Sequence, residues 1–223
     1  MDKELMDLNL KIDHAALQPE VDEAAIRRLC CEAREYLFYS VAVNPAWTAL
    51  AVELLKKTSV KVLTVAGFPL GANRTDVKIV EAVEGVSDGA HEIDMVANIG
   101  RLCAGQFSDV EAEIRKVRRN LPPEVILKVI IEAGRLTEQQ QVEATKCVIN
   151  GGAQFVKTCT GFFGGATVEQ VRTLFRAAEG QIEVKASGGI RTLEDCQRLL
   201  SAGATRLGSS ASVAIMKEFA TLY

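Results

Sequence analysis

The chain has 223 residues, 48% of them apolar and 25% charged, with a formal net charge of −3. That is the balance of a soluble globular protein. Without a basic block or tail it offers no electrostatic footprint for nucleic acid, so a small anionic ligand must be held by local dipoles and a few cations.

Other classes are disfavoured as well. No apolar run reaches membrane-spanning length, and no cationic, cleavable leader pattern opens the chain. The six cysteines (Cys30, Cys31, Cys103, Cys147, Cys159 and Cys196) show no CxxC spacing. They read as reduced thiols, and the expected location is the cytoplasm.

Short apolar, β-branched runs predict strands over 9–13, 39–43, 61–66, 92–96, 126–131, 154–157, 183–186 and 205–208. Helices are predicted to begin near Asp22, Pro45, Thr75, Asp109, Thr137, Thr167, Thr192 and Ala211. Thr75 and Thr137 are placed to act as N-caps. Thr167 has Gln170 three residues on and Thr192 has Asp195, the spacing of a capping box. Strict alternation of strand and helix predicts parallel strands with right-handed crossovers. At this length the economical closure is a (β/α)8 TIM barrel, with an open doubly wound sheet as the alternative. No linker or break in composition divides the chain, so 1–223 is expected to be one domain.

In such a barrel the site forms where the strands end, from the loops that follow. Polar residues gather at those ends: Asp13, Asn44, Asp94 with Asn98, Glu132, Lys157 with Thr158, Lys185 with Ser187, and Ser209 with Ser210. Lys128 lies within an apolar strand. Lysine is rarely buried without a reason. Two lysines, Lys157 and Lys185, at the ends of neighbouring strands would lower each other's pKa. That yields a neutral amine suited to Schiff-base chemistry.

Glycines suggest the second half of the site. The segment 187–192, Ser-Gly-Gly-Ile-Arg-Thr, follows strand seven and opens a helix, and 208–211, Gly-Ser-Ser-Ala, follows strand eight and opens another. Backbone N–H groups at helix starts bind anions, and barrels place phosphate between these two loops. The only histidines, His14 and His91, show no metal-ligand spacing. They read as a satisfied strand-end residue and a surface residue.

Taken together, these residues resemble a deoxyribose-phosphate aldolase. The matching segments are Lys11-Ile12-Asp13-His14, Val41-Ala42-Val43-Asn44-Pro45, Gly67-Phe68-Pro69-Leu70-Gly71, Glu92-Ile93-Asp94-Met95-Val96, Lys128-Val129-Ile130-Ile131-Glu132, Phe155-Val156-Lys157-Thr158, Val184-Lys185-Ala186-Ser187-Gly188-Gly189-Ile190-Arg191-Thr192, and Gly203-Ala204-Thr205-Arg206. They run in order across nearly the whole chain.

The resemblance implies a metal-independent lyase of deoxyribose phosphate catabolism that needs no cofactor and cleaves 2-deoxy-D-ribose 5-phosphate. Lys157 is then the Schiff-base lysine, Lys185 the second lysine that holds down its pKa, and Asp94 the acid of a proton relay. Gly188, Gly189, Gly208, Ser209 and Ser210 match the phosphate loops, with Gly161 contributing from the loop after Lys157. Asp13 matches a polar position near the substrate hydroxyls. The implied partner is a small sugar phosphate, with neither nucleic acid nor membrane. A homodimer through helix faces rich in Leu, Ala and Arg is an open expectation.

The chain departs from the family pattern in places. Ala15 removes a hydroxyl expected near the substrate. Ala42 stands where many relatives have cysteine, and Cys159 where serine is common. In some family members a terminal tyrosine reaches the site, which raises the same question for Tyr223. Two other readings stay open. The first is another sugar-phosphate enzyme on this barrel: an isomerase would use a carboxylate base and need no lysine pair, which disfavours it, whereas an aldolase for a different aldehyde pair stays open because Ala15 and the 161–165 loop could change the pocket. A non-catalytic sugar-phosphate binder should have lost Lys157, Lys185 or Asp94, and all three are present.

Overall fold

The eight apolar runs become eight parallel strands joined edge to edge, the first pairing with both the second and the eighth. The computed structural model describes residues 7–222. Tyr223 lies outside the described residues.

The first half of the chain supplies four strands. It runs β1 (Ile12–Ala16), α1 (Glu23–Glu35), β2 (Ser40–Val43), α2 (Thr48–Leu55), β3 (Lys61–Ala66), α3 (Thr75–Ser87) and β4 (Glu92–Val96). Two helices follow, the short α4 (Ile99–Cys103) and α5 (Phe107–Arg119). The second half continues with β5 (Ile126–Ile130), α6 (Glu138–Gly151), β6 (Phe155–Lys157), α7 (Val168–Ala178), β7 (Glu183–Ser187), α8 (Leu193–Ser201), β8 (Arg206–Ser209) and α9 (Ser212–Leu222). The barrel is closed, so the open-sheet alternative falls.

Start signals at three helices have their structural counterpart. Thr137, Thr167 and Thr192 each accept a hydrogen bond from the backbone N–H three residues on, and the side chains of Gln140, Gln170 and Asp195 accept one from the backbone N–H of the cap. Thr75 differs: it is the first helical residue, and Arg74 holds the cap position without a side-chain hydrogen bond. Near Pro45 the chain first makes a 3-10 turn, Pro45–Trp47, before α2. The helix expected near Asp109 begins at Phe107 and is preceded by α4, which was not foreseen. The largest shift is at β1. The run 8–11 forms a 3-10 helix, and the strand itself is Ile12–Ala16.

Alternation along the strands separates two interiors. Outward residues such as Val62, Ile93, Met95, Val129, Val156, Val184 and Leu207 form the apolar layer between barrel and helices. The inward set is different. In-register neighbours Asp13 and Ser40, Asp94 and Lys128, Lys157 and Lys185, and Lys185 and Arg206 line the barrel itself. The centre of this barrel is therefore ionic where its surroundings are apolar.

Candidate active site

Register alone brings Lys157 and Lys185 side by side on β6 and β7. Asp94, from β4 across the barrel, reaches both. Its Oδ2 accepts from Lys157 Nζ at 2.8 Å and from Lys185 Nζ at 2.8 Å. Lys128 Nζ lies 3.1 Å from the other oxygen, Oδ1. All four side chains are buried, with Asp94 and Lys128 at 0% exposure.

The ion pairs continue below this layer. Lys185 Nζ is 2.5 Å from Asp13 Oδ2. Asp13 Oδ1 accepts from Ser40 Oγ at 2.7 Å and from Arg206 Nη1 at 2.9 Å. Arg206 also reaches Glu92 at 3.4 Å, and Glu92 pairs with Lys128. Four cations, Lys128, Lys157, Lys185 and Arg206, thus face three carboxylates, Asp13, Glu92 and Asp94. Buried unpaired charge is costly. With every group ionised one positive charge is in excess, and the cluster balances when one lysine is neutral.

Lys157 is the lysine so disposed. Burial pushes its pKa below the usual lysine value; Asp94 opposes this, while the charges of Lys185 and Lys128 add to the lowering. The sequence pointed to Lys185 as the cause, but burial is the larger one. Asp94 behaves in the opposite sense. Burial would raise it, but Lys128, Lys157 and Lys185 hold it well below the usual carboxylate range. The arrangement is therefore an amine poised as a nucleophile beside a carboxylate that stays ionised.

Above the pair opens a cavity of about 200 Å³. Lys157 and Lys185 form its floor. Gly161, Gly188, Gly189, Gly208, Ser209 and Ser210 line it. Gly188 has φ +84°, and a Cβ there would stand 2.8 Å from Gly164 O and 3.0 Å from both Cys159 Sγ and Gly161 Cα. The loops after β6 and β7 touch only because this residue has no side chain. Gly208 serves differently: a Cβ there would lie 3.3 Å from Lys185 Cε.

Several N–H groups at the start of α8 are already taken. Asp195 accepts from Arg191 N and Thr192 N at 3.0 and 3.1 Å, and Glu218 accepts from Leu193 N at 2.8 Å. Gly188, Gly189 and Ser210, together with Arg191, border the cavity itself.

Other predicted positions separate. Asp13 does not line the cavity; it lies beneath Lys185, bound into the ion network. Asn98 caps α4 through Arg101 N at 3.1 Å, and Asn44 donates to Leu17 O. Glu132 holds the loop after β6 from below, accepting from Thr160 N at 3.0 Å and Thr160 Oγ at 2.8 Å. Thr158 and Ser187 tie the β6 and β7 loops together.

Cys159 is buried with its Sγ 2.7 Å from Ser187 O, and burial pushes its thiol up to about 11. Ala15 and Ala42, adjacent in register, form an apolar wall of the cavity. His14 bonds Glu32 at 2.8 Å, and His91 accepts from Val62 N.

Sequence reasoning missed Arg191, Thr160 and Phe162 on the cavity wall, and Glu92, Arg206 and Ser40 beneath it. Among the described residues, no group of three or more His, Cys, Asp or Glu side chains is arranged to hold a metal ion, and no helix is long and apolar enough to cross a membrane.

Comparison with known proteins fits this geometry. No protein-family model matches the chain. The deoxyribose-phosphate aldolase of Caldanaerobacter subterraneus subsp. tengcongensis is 46% identical over 221 residues, 98% of this chain and 96% of that protein. The solved structure of QR15, an aldolase, is 41% identical with a TM-score of 0.92 and covers 97% of each chain. The tetrameric deoxyribose phosphate aldolase from Aeropyrum pernix is 32% identical with a TM-score of 0.88, covering 97% of this chain and 92% of that one. A closed barrel, a lysine pair on one carboxylate and near full-length identity converge: the chain belongs to the deoxyribose-phosphate aldolase family of carbon–carbon lyases.

Proposed function

We propose that the whole chain, 1–223, acts as one aldolase domain that cleaves 2-deoxy-D-ribose 5-phosphate reversibly to D-glyceraldehyde 3-phosphate and acetaldehyde through a Schiff base on Lys157. The observation that carries this reading is the sharing of Asp94 Oδ2 by Lys157 and Lys185 at 2.8 Å each, at the floor of a cavity walled by glycine loops.

The open-chain aldehyde enters with its phosphate toward the N–H groups of Gly188, Gly189 and Ser210 and beside Gly161, Gly208 and Ser209. Neutral Lys157 attacks C1, water leaves, and an iminium forms. The iminium is an electron sink. As the C2–C3 bond breaks, its electron pair moves toward the iminium and leaves an enamine. The C3 hydroxyl proton must go to a base, and the ionised Asp94, acting through water beside Lys185, supplies one. Glyceraldehyde 3-phosphate departs. The enamine is protonated at C2, and the water released earlier is returned in hydrolysis to free acetaldehyde. Asp13 acts from beneath by holding Lys185 rather than by touching substrate.

The reaction places the chain in deoxyribose phosphate catabolism, and we assign it to the cytoplasm. Its six thiols are free, which is compatible with a reducing compartment.

Borohydride trapping with 2-deoxyribose 5-phosphate, followed by tryptic mass mapping, tests the assignment. Reduction onto Lys157 blocks cleavage there and joins the segment 147–157 to the peptide that ends at Arg172. That joined peptide is the expected product. An adduct on Lys185 or Lys128 would keep the class and overturn the choice of nucleophile, and no adduct on the folded protein would overturn the reading.

A further inference from the structure

The barrel floor carries a charge that the chemistry above does not use. Arg206 enters from β8, 7% exposed, and its guanidinium carbon stands 3.5 Å from the centroid of the Tyr39 ring. It does not itself line the cavity above, although its in-register neighbour Lys185 does. Two chains of ion pairs run from it to the same carboxylate. One passes Asp13 and Lys185 to Asp94, at 2.9, 2.5 and 2.8 Å. The other passes Glu92 and Lys128 to Asp94, its first contact 3.4 Å and its last 3.1 Å.

The four cations differ in kind. An arginine cannot give up its proton in a protein, whereas a lysine can. The excess of one positive charge over Asp13, Glu92 and Asp94 must therefore be relieved at a lysine. Lys185 contacts two carboxylates, Asp13 and Asp94, and Lys128 contacts Glu92 and Asp94. Lys157 contacts one, Asp94, and shares that oxygen with Lys185. It is the least compensated of the three.

We propose that Arg206 is a positioning residue which, by occupying Asp13 and Glu92 from the barrel floor, leaves the cluster one carboxylate short and so makes Lys157 the neutral amine. The inference rests on Lys157 being the Schiff-base lysine. The charged groups facing Lys157 are Asp94 and Glu92 from β4, Lys128 from β5, Lys185 from β7, and Asp13 and Arg206 from β1 and β8. The Glu132 carboxylate and the Cys159 thiol lie on the loops above, the first held by Thr160 and the second by Ser187 O.

Arg206→Met keeps a stem over Tyr39 and leaves three cations against three carboxylates, so no charge is orphaned. The acidic limb of kcat/KM, and of the borohydride trapping rate, should then move to higher pH by about one unit or more. Activity on the acidic side of the limb should fall about tenfold or more and recover as the pH rises. Arg206→Lys should restore the native limb. Arg206→Met with Asp13→Asn, three cations against two carboxylates, should also return it. Glu92→Gln in the native background, four against two, should shift the limb to lower pH.

A uniform loss of activity across pH with the limb unmoved would mean a structural role only and overturn the proposal. An unmoved limb in Glu92→Gln would do so as well, and that measurement stands even if Arg206→Met does not fold. Absence of a Lys157 adduct in the unmodified protein strikes the proposed function instead, so the two failures are distinguishable.

Discussion

Gly188→Ala is the sharpest probe of the proposed phosphate loops. Gly188 sits at φ +84°, where a residue with a Cβ costs about 1–2 kcal/mol. The new methyl would stand 2.8 Å from Gly164 O and 3.0 Å from Gly161 Cα, both backbone atoms. One loop must therefore move away from the other. Backbone strain alone lowers the melting temperature by about 2–8 °C for a chain of this size. The functional cost is larger. Displacing one N–H from a phosphate oxygen loses a charge-assisted hydrogen bond of about 1.5–3 kcal/mol, or roughly 10- to 150-fold in kcat/KM. The assay is turnover of 2-deoxyribose 5-phosphate against unphosphorylated 2-deoxyribose. The first should fall by that factor and the second by much less. An equal fall for both substrates would refute the placement of phosphate at this loop, and so would an unchanged constant for the phosphorylated sugar.

Asp94→Asn removes the carboxylate that three lysines share; turnover should fall about 10²-fold or more and stability by about 3–5 kcal/mol, read by steady-state kinetics and urea unfolding, and near-native turnover would refute its role as base. Thiol titration should modify the exposed Cys31 and Cys103 first, with Cys159, its thiol pushed up to about 11, reacting only on unfolding. Ala42 lines the cavity without a thiol, so crotonaldehyde should inactivate more slowly than in relatives with cysteine there; rapid inactivation with an adduct on Cys159 would contradict both statements. Acid stability tests Asp13. Burial would raise its carboxyl, but Lys185, Arg206 and Lys128 hold it far below the ordinary range. A group depressed in the fold stabilises fully above its unfolded pKa of about 3.9, and that contribution is lost as pH falls below it. Asp13→Asn should therefore flatten the decline of urea stability between about pH 5 and pH 3, and an unchanged slope would refute this.

The eight-fold alternation was legible because most of the strands are short β-branched runs flanked by glycine or polar residues. The first strand was misplaced for a physical reason. Leu8, Leu10 and Ile12 carry the apolar pattern, yet 8–11 wind into a 3-10 helix. The true strand ends in His14-Ala15-Ala16, which has no β-branched residue, and its extension comes from pairing with both β2 and β8. The five-residue α4 is shorter than any periodicity can reveal. At the site, Lys157, Lys185 and Asp94 stood out because ionisable groups in apolar strands are rare. Glu92 and Arg206 were overlooked because strand beginnings usually face solvent. Yet Glu92 lies two residues before Asp94, and Arg206 two before Gly208, so the period of a strand puts each on the inward face. The resemblance alone puts Asp13 near the substrate hydroxyls. Only the closing of the barrel, with β8 beside β1, shows that Arg206 reaches it first.

The ionic floor has a kinetic corollary. Glu92, Lys128, Phe155 and Arg206 are all buried and stopper the barrel below Lys157 and Lys185, so the cavity above is a well closed from beneath, with its mouth among the loops. Gly161, Gly189 and Ser210 sit exposed at that mouth, above the amine. If cleavage runs through the proposed Schiff base on Lys157, glyceraldehyde 3-phosphate vacates the well before the two-carbon fragment can follow, and release is ordered. In synthesis the sequence reverses: acetaldehyde has to arrive first, and a phosphorylated aldehyde that docks early corks the passage. Rising glyceraldehyde 3-phosphate should then slow condensation, competitively with acetaldehyde.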